Sequence, residues 1–529
     1  MRRFFTGGSL LILAICLFSP APSYAQGNLG GVTGTVSDSS GAGVPDVAIK
    51  AINVSTGRVS ETNSGPTGSY TLQALVPGAY RIEAEKTGFR KTIIENVTVQ
   101  TATTGAVDVK LDLGSVLETV TVSSGNLELQ TTNAEIGTTI ETKALLDLPI
   151  SLGGAATTGG SGRRQIENFL FLTPGVTGDQ WSKSINGAPS FSSEVLIDGQ
   201  DMQNIGAPGF IADSAPPYEA ISEFKIQNTL YPAEYGLGYG IENFTMKSGG
   251  SRFHGDLFEL LRNDKFDARG FFNSGKPPLR QNEYGGTVGG PVILPGYHDK
   301  NRTHFFVAYS GFRLRGGLPT GGLVSVPTAK ERTGDFSDYP YPIFDPASTA
   351  SDGAGGFVRQ AFPGNVIPPS SLSAVARRLA ALIPQPDIGG TYFNNYVDRS
   401  TQPANEDDWS VKIDHQLTSK QQLTGSFWWA NADLTVNGPL AGPLNPGYRQ
   451  TPTHGGGLRL NHVYSITPTL LNHIGFGYTP TEPTWTFWVS DKRKGNQTLQ
   501  IPGIPADANG YPEFYLDRKS TRLNSSHRH

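Results

Sequence analysis

The strongest constraint on this chain is a two-residue alternation in its C-terminal half. At 409–417 the odd positions read Trp, Val, Ile, His, Leu and the even positions Ser, Lys, Asp, Gln. After a short turn at 418–420, Leu423, Gly425, Phe427 and Trp429 alternate with Thr424 and Ser426. A second pair, 458–466 and 470–478, flanks Thr467-Pro468-Thr469. Successive side chains of a strand point to opposite faces, so each pair predicts two-faced strands joined by a tight turn. The connections alternate too, tight turns being followed by long stretches at about 316–405 and 431–457. Soluble sandwiches rarely need loops of that length, whereas outer-membrane barrels combine short turns at one rim with long loops at the other. In lipid every backbone amide needs a partner, and only a closed sheet leaves no edge. The pattern therefore predicts strands of a transmembrane antiparallel barrel. Residues 368–383 contain a helical stretch, SSLSAVARRLAALI, inside the first long loop.

The N-terminus reads as an export leader over residues 1–25. Arg2 and Arg3 precede a short apolar run at 10–18, and Ser23-Tyr24-Ala25 is a small-x-small cleavage site. That run is too short to span a bilayer, and none after it is long enough for a membrane helix. Cys16 is the only cysteine and lies in the leader, so the exported chain has no disulfide and no thiolate metal site. A formal charge of −4 and the lack of any basic block argue against a nucleic-acid partner.

Short β-type runs recur over 28–113, at 32–36, 47–52, 69–72, 80–85 and 107–111, with glycines and prolines between them. That spacing predicts a small β-sandwich. Asp38 can bond to turn amides, Gly43 can take positive φ, and Tyr70 and Tyr80 can bury their rings. The motifs GTVSD (34–38), GVPDV (43–47), TGSYTL (67–72) and VPGAYRI (76–82) resemble the carboxypeptidase regulatory-like domain. The resemblance implies a transthyretin-like, carbohydrate-binding-like sandwich. It does not imply peptidase activity, because the segment has no histidine.

Farther on, IGTTI (136–140), LLDLP (145–149), FLFLTPG (169–175), EVLIDG (194–199), YEAISEFKIQ (218–227), AEYG (233–236) and TMKSGG (245–250) follow one another in an order that resembles the plug of Oar-like TonB-dependent outer-membrane receptors. NEYGGTVGGPV (282–292) and HFFVAY (304–309) resemble early barrel strands of the same proteins. The implied fold class is mainly β: sandwich, α/β plug (131–250), then the first strands of a truncated barrel (251–516). The plug residues singled out are Asp198, Gly199, Glu219, Glu234, Gly236, Lys247 and Gly249. Asp198-Gly199 is a hairpin-turn signal. Residues 219–224 read as one short helix leading into a strand at 225–227, and Glu234 as a buried acid facing barrel arginines. Residues 153–162 read as a flexible Gly/Thr/Ser loop.

The linker 114–130 carries LETVTV (117–122). By itself this is another strand of the sandwich. In its position between sandwich and plug, Glu118, Thr119, Val120, Thr121 and Val122 resemble a TonB box, a segment that pairs with a strand of a periplasmic partner.

No HExxH, metal-ligand spacing, P-loop or hydrolase arrangement is present, so the chain is read as neither an enzyme nor a cofactor carrier. His254 reads as structural. Trp428, Trp429, Trp485 and Trp488 suit interfacial girdles. The expected function is energised uptake of an extracellular substrate, glycan and peptide among the candidates. The expected setting is the outer membrane, with lipid around the barrel, the sandwich in the periplasm and the TonB complex as partner. The alternative is a carbohydrate-binding, adhesion or secretion-associated barrel without active transport. Residues 517–529 read like translated sequencing adapter, so the natural sequence is expected to depart from this one near 516.

Overall fold

The computed structural model describes residues 28–114, 119–123, 136–141 and, with short interruptions, 163–507. The leader, Glu118, the 153–162 segment, Glu234, Gly236, Trp488 and the 517–529 tail lie outside the described residues.

The N-terminal domain packs two sheets face to face. One joins β4 (Ser69–Leu75), β1 (Gly30–Ser37), β7 (Thr104–Ala106) and β8 (Val109–Lys110). The other runs in the order β3 (Val59–Asn63), β2 (Ala48–Asn53), β5 (Gly78–Glu85), β6 (Lys91–Val99) and β9 (Thr119–Ser123). Alternate residues of both sheets, among them Val36, Ile49, Leu72, Ile82 and Val109, form one buried core. Tyr70 and Tyr80 are buried, and their hydroxyls donate to the carbonyls of Val107 (2.7 Å) and Val76 (2.8 Å). Burial pushes both phenols above their ordinary range. The Asp38 carboxylate accepts from the amides of Ser40 and Ala42 and from the Ser40 hydroxyl, which holds its pKa down.

Gly43 departs from expectation. Positive φ falls at Gly41, whereas a Cβ on Gly43 would overlap the Thr67 carbonyl. Gly43→Ala is therefore expected to cost the sandwich about 1–3 kcal/mol through overpacking, read from its denaturant midpoint. Gly57→Ala is no control for strain, since Gly57 has positive φ. Gly105→Ala is one, because nothing stands near its Cβ position.

The middle domain is a five-stranded mixed sheet in the order β10 (Ile136–Glu141), β13 (Ile221–Thr229), β14 (Ile241–Met246), β11 (Glu194–Ile197) and β12 (Gln200–Asp201). A 3-10 turn of three residues, Tyr218–Ala220, leads directly into β13. The short helix expected at 219–224 is strand from Ile221 onward. The reason is lateral: β13 pairs antiparallel with strands on both sides, which local propensity does not report.

Seven long strands form one antiparallel sheet, each paired with the next: β15 (Leu257–Asn263), β16 (Leu279–Pro291), β17 (Thr303–Gly316), β18 (Ala404–Thr418), β19 (Gln421–Val436), β20 (Tyr448–Thr467) and β21 (Leu470–Tyr478). The edge strands β15 and β21 do not pair with each other among the described residues. β19 and β20 run well past the 9–11 residues that cross a bilayer. The long loop expected at 431–457 shrinks to 437–447. Pro452 does not end β20. The register instead shifts between Ala432 and Leu434, and the extra residues of the bulge accommodate the proline. The other long loop is as expected and carries α1 (Ala374–Leu382), whose N-cap Ser373 accepts from the Val375 amide. Arg332 donates to the carbonyls of Ala380, Ile383 and Pro384 at its C-terminal end.

Tight turns and long loops lie at opposite rims. The sandwich sits at the tight-turn rim: residues 60–62 and 71–74 line one cavity with Ser419, Lys420, Ser465 and Thr467. α1 and its loop lie at the other.

Candidate functional site

The large sheet is inside-out relative to a soluble protein. On β18 the buried residues are Ala404, Glu406, Asp408, Ser410 and Lys412, whereas Trp409 is 40% exposed and Ile413 45%. β20 repeats this, with Arg459 and Asn461 buried and Leu460 and Ile466 exposed. β21 adds the exposed Ile474, Phe476 and Tyr478, paired in register with His462, Leu460 and Leu458. An apolar outer band with a polar interior is the arrangement for a sheet whose outer solvent is hydrocarbon.

The polar interior receives the middle domain, whose core is continuous with the sheet: Phe306, Ala308 and Trp428 pack with Phe169, Phe224 and Phe244. Asp198 is the hub of the contact. It has φ 48° and Gly199 φ 75°, the two left-handed residues of a two-residue type I′ hairpin between β11 and β12. The turn points the fully buried Asp198 carboxylate into the barrel. Its Oδ1 accepts from Lys412 Nζ (3.1 Å), the Met246 amide (3.0 Å) and Asn28 Nδ2 (3.2 Å), and its Oδ2 from Ser426 Oγ (3.0 Å). Its carbonyl accepts from Asn461 Nδ2 (3.2 Å). One side chain thus ties sandwich, plug and barrel together. Beside it, Arg459 donates to the Asp201 carbonyl (3.1 Å) and lies 4.9 Å over the Trp428 ring.

A second junction uses adjacent arginines. Arg163 pairs with Glu406 (2.8 Å) and Asp408, and Arg164 with Glu283 (2.8 Å) and Glu219. At this junction the plug supplies the arginines and the barrel strands most of the acids. Burial pushes the Glu219 carboxyl above its ordinary range against the pull of Arg164. Burial opposes the charge on Arg164, but Glu219 and Glu283 outweigh it. Lys183 repeats the arrangement inside the plug, between Glu242 (2.9 Å) and Glu167 (3.2 Å).

The other singled-out residues are dispersed. Lys247 lies 6.0 Å from the Phe306 ring, and burial lowers its pKa. It borders a 320 Å³ cavity shared with Ser55, Gly78, His254 and Asp256. Gly249 lets the chain pass β17, where a Cβ would overlap the Phe305 backbone. His254 has a structural setting, its Nδ1 3.0 Å from the Arg252 carbonyl oxygen. Among the described residues no His, Cys, Asp and Glu group could hold a metal.

One correction concerns the aromatic residues. Trp428 is no girdle residue. It occupies an inward position, and Gly457 leaves the space its indole fills. Trp409, beside Phe427 at 5.0 Å, takes the outward place. Thr119–Ser123 is a strand of the sandwich sheet, parallel to β6, as its residues alone suggested. Arg163 and Arg164 were missed because they follow a Gly-rich run that reads as a loop. Their being adjacent was the only signal.

Residues 245–528 match the family of the outer membrane beta barrel domain, and residues 31–112 match the carboxypeptidase regulatory-like domain. The TonB-dependent transporter Oar of Myxococcus xanthus is 23% identical over 311 residues, covering 57% of this chain and 28% of that protein. The chain thus spans less than a third of the length of the curated relative it matches. Among solved structures, a mutant ferric enterobactin receptor of Pseudomonas aeruginosa overlays with a TM-score of 0.38 at 11% identity, over 66% of this chain and 42% of that one. The ferric-catecholate import receptor Fiu of E. coli K12 overlays at 0.30 and 13% identity, over 68% and 51%. These relatives are a transporter and receptors, not enzymes. With more than half of its length matched, the chain belongs to the outer membrane beta barrel domain family and is an outer-membrane protein similar to TonB-dependent transporters.

Proposed function

We propose that the whole protein is a TonB-dependent transporter that takes up a substrate across the outer membrane. The observation carrying this reading is the polar barrel interior filled by a separately folded domain. A barrel that served only as an anchor or adhesin would have no use for buried charges directed at a removable plug. In this reading the substrate, a glycan or a peptide among the candidates, binds at the long-loop rim. TonB pairs with the Thr119–Val122 segment at the tight-turn rim, and its pull shifts the plug.

Backbone pairing needs N–H donors, which proline lacks. The double change Thr119→Pro and Val122→Pro is therefore expected to abolish energised uptake while leaving the amount of protein in the outer membrane unchanged. The assay is growth of a deletion strain, complemented with either form, on a panel of candidate substrates. Equal growth with both forms on the substrate that the parent needs the protein to use would sink the transporter reading.

A further inference from the structure

We propose that the sandwich presents Thr119–Ser123 to TonB as a preformed edge strand and passes the pull to the plug; this rests on the TonB-dependent reading above. β9 lies at the end of the five-stranded sheet and pairs on one side with β6, in the register Lys91↔Thr119 through Glu95↔Ser123. No other strand pairs with its far side among the described residues. In a parallel pair, alternate residues of an edge strand direct N–H and C=O away from the neighbour. Those groups form a template for one further strand. Thr121 is exposed. The residues before it are held at the same edge: Leu113 bridges Phe89, the Arg90 amide donates to the Asp112 carbonyl (2.9 Å), and β9 starts beside Lys91.

What lies at the other end of β6 gives this placement its consequence. β6 ends at Val99, and the next residues are clamped to the plug. The Thr101 amide donates to Glu223, and Thr101 Oγ1 lies 2.6 Å from Thr245 Oγ1. Lys225 Nζ donates to the Ala102 carbonyl (2.8 Å) and Thr103 Oγ1 (2.9 Å). Glu223 and Lys225 lie on β13 and Thr245 on β14, in the middle of the plug sheet. Load placed on β9 therefore has a path through β6 into the plug that bypasses the linker 124–135. An edge strand already held in the sheet also binds a partner without the entropy cost of ordering a free segment. A segment that must first peel away would bear that cost and lose its pairing with β6.

The test is a lock. Neighbouring strands stand about 4.8 Å apart, within the Cα separation a disulfide spans. Thr92→Cys with Val120→Cys places two cysteines at a registered pair in an exported chain that has none. The purified full-length protein is titrated with the periplasmic domain of TonB, oxidised and then reduced. The proposal expects affinities within about threefold of each other. Binding lost on oxidation and restored on reduction overturns it, since the strand would then have to leave the sheet. Binding absent in both states and in the unmodified protein overturns the TonB reading itself. Amide exchange on the unmodified protein gives a second readout: TonB is expected to leave protection at 91–99 intact and add protection at 119–123. Loss of protection at 91–99 would contradict the proposal.

Discussion

Asp198→Ala is expected to destabilise the docked plug by about 3–5 kcal/mol, the usual cost of removing one partner from a buried ion pair. The carboxylate accepts from Lys412, Ser426, Asn28 and the Met246 amide, so its loss leaves a buried ammonium and a buried amide without this acceptor. Alanine also tolerates the left-handed φ of 48° less well than aspartate. Asp198→Asn separates the two causes. Asparagine keeps the turn and an accepting oxygen but not the charge, so it is expected to lose less than alanine and more than a surface change. The measurement is denaturant unfolding of the purified protein in detergent, followed by the fluorescence of tryptophan. Trp428 sits in the same plug–barrel core and reports on docking. Equal midpoints for wild type and Asp198→Ala would show that the carboxylate holds nothing together.

The second large effect is on the outer face. Ile413 is 45% exposed and five residues from the end of β18 at Thr418, which puts it near the middle of a band that 9–11 residues cross. Ile413→Arg is expected to cost about 2–4 kcal/mol when the protein folds into phospholipid vesicles, because a guanidinium near the bilayer midplane loses its water. In a soluble protein the same change at a half-exposed site would cost almost nothing. Ser410→Ala, on the inward face, is the control and is expected to cost under about 1 kcal/mol. Urea titrations of vesicle-bound protein give both numbers. An Ile413→Arg cost no larger than the control would place that face in water.

The alternation at 409–417 was legible because a strand has a period of two whatever surrounds it. It could not say which face was buried. The structure buries the polar one, and only the asymmetry of turns and loops had pointed that way. The Asp198-Gly199 turn was legible for the same local reason, since both residues accept positive φ. Its role as a hub was not, because Lys412 and Ser426 lie more than two hundred residues away in the chain. Two of the sandwich strands absent from the sequence reading have local causes. KTIIENVTV (91–99) mixes charge with apolar residues, and Asn96, with φ 60°, breaks its alternation where the register with β5 shifts. VSETN (59–63) has only Thr62 buried. Trp428 was misassigned because aromatic residues suit both an interfacial belt and a core. Gly457, which decides between them, is on the neighbouring strand.

The central claim is that the odd face of β18 touches lipid and the even face touches the plug. Cys16 is the only cysteine of the sequence and lies far from the barrel strands, so with Cys16 replaced by serine, single cysteines at 408–413, each carrying a fluorophore, can be placed in membranes containing brominated lipid. The account predicts quenching that alternates with position, strong at 409, 411 and 413 and weak at 408, 410 and 412. Uniform quenching along the strand, or none because the protein stays in the aqueous fraction, would contradict it.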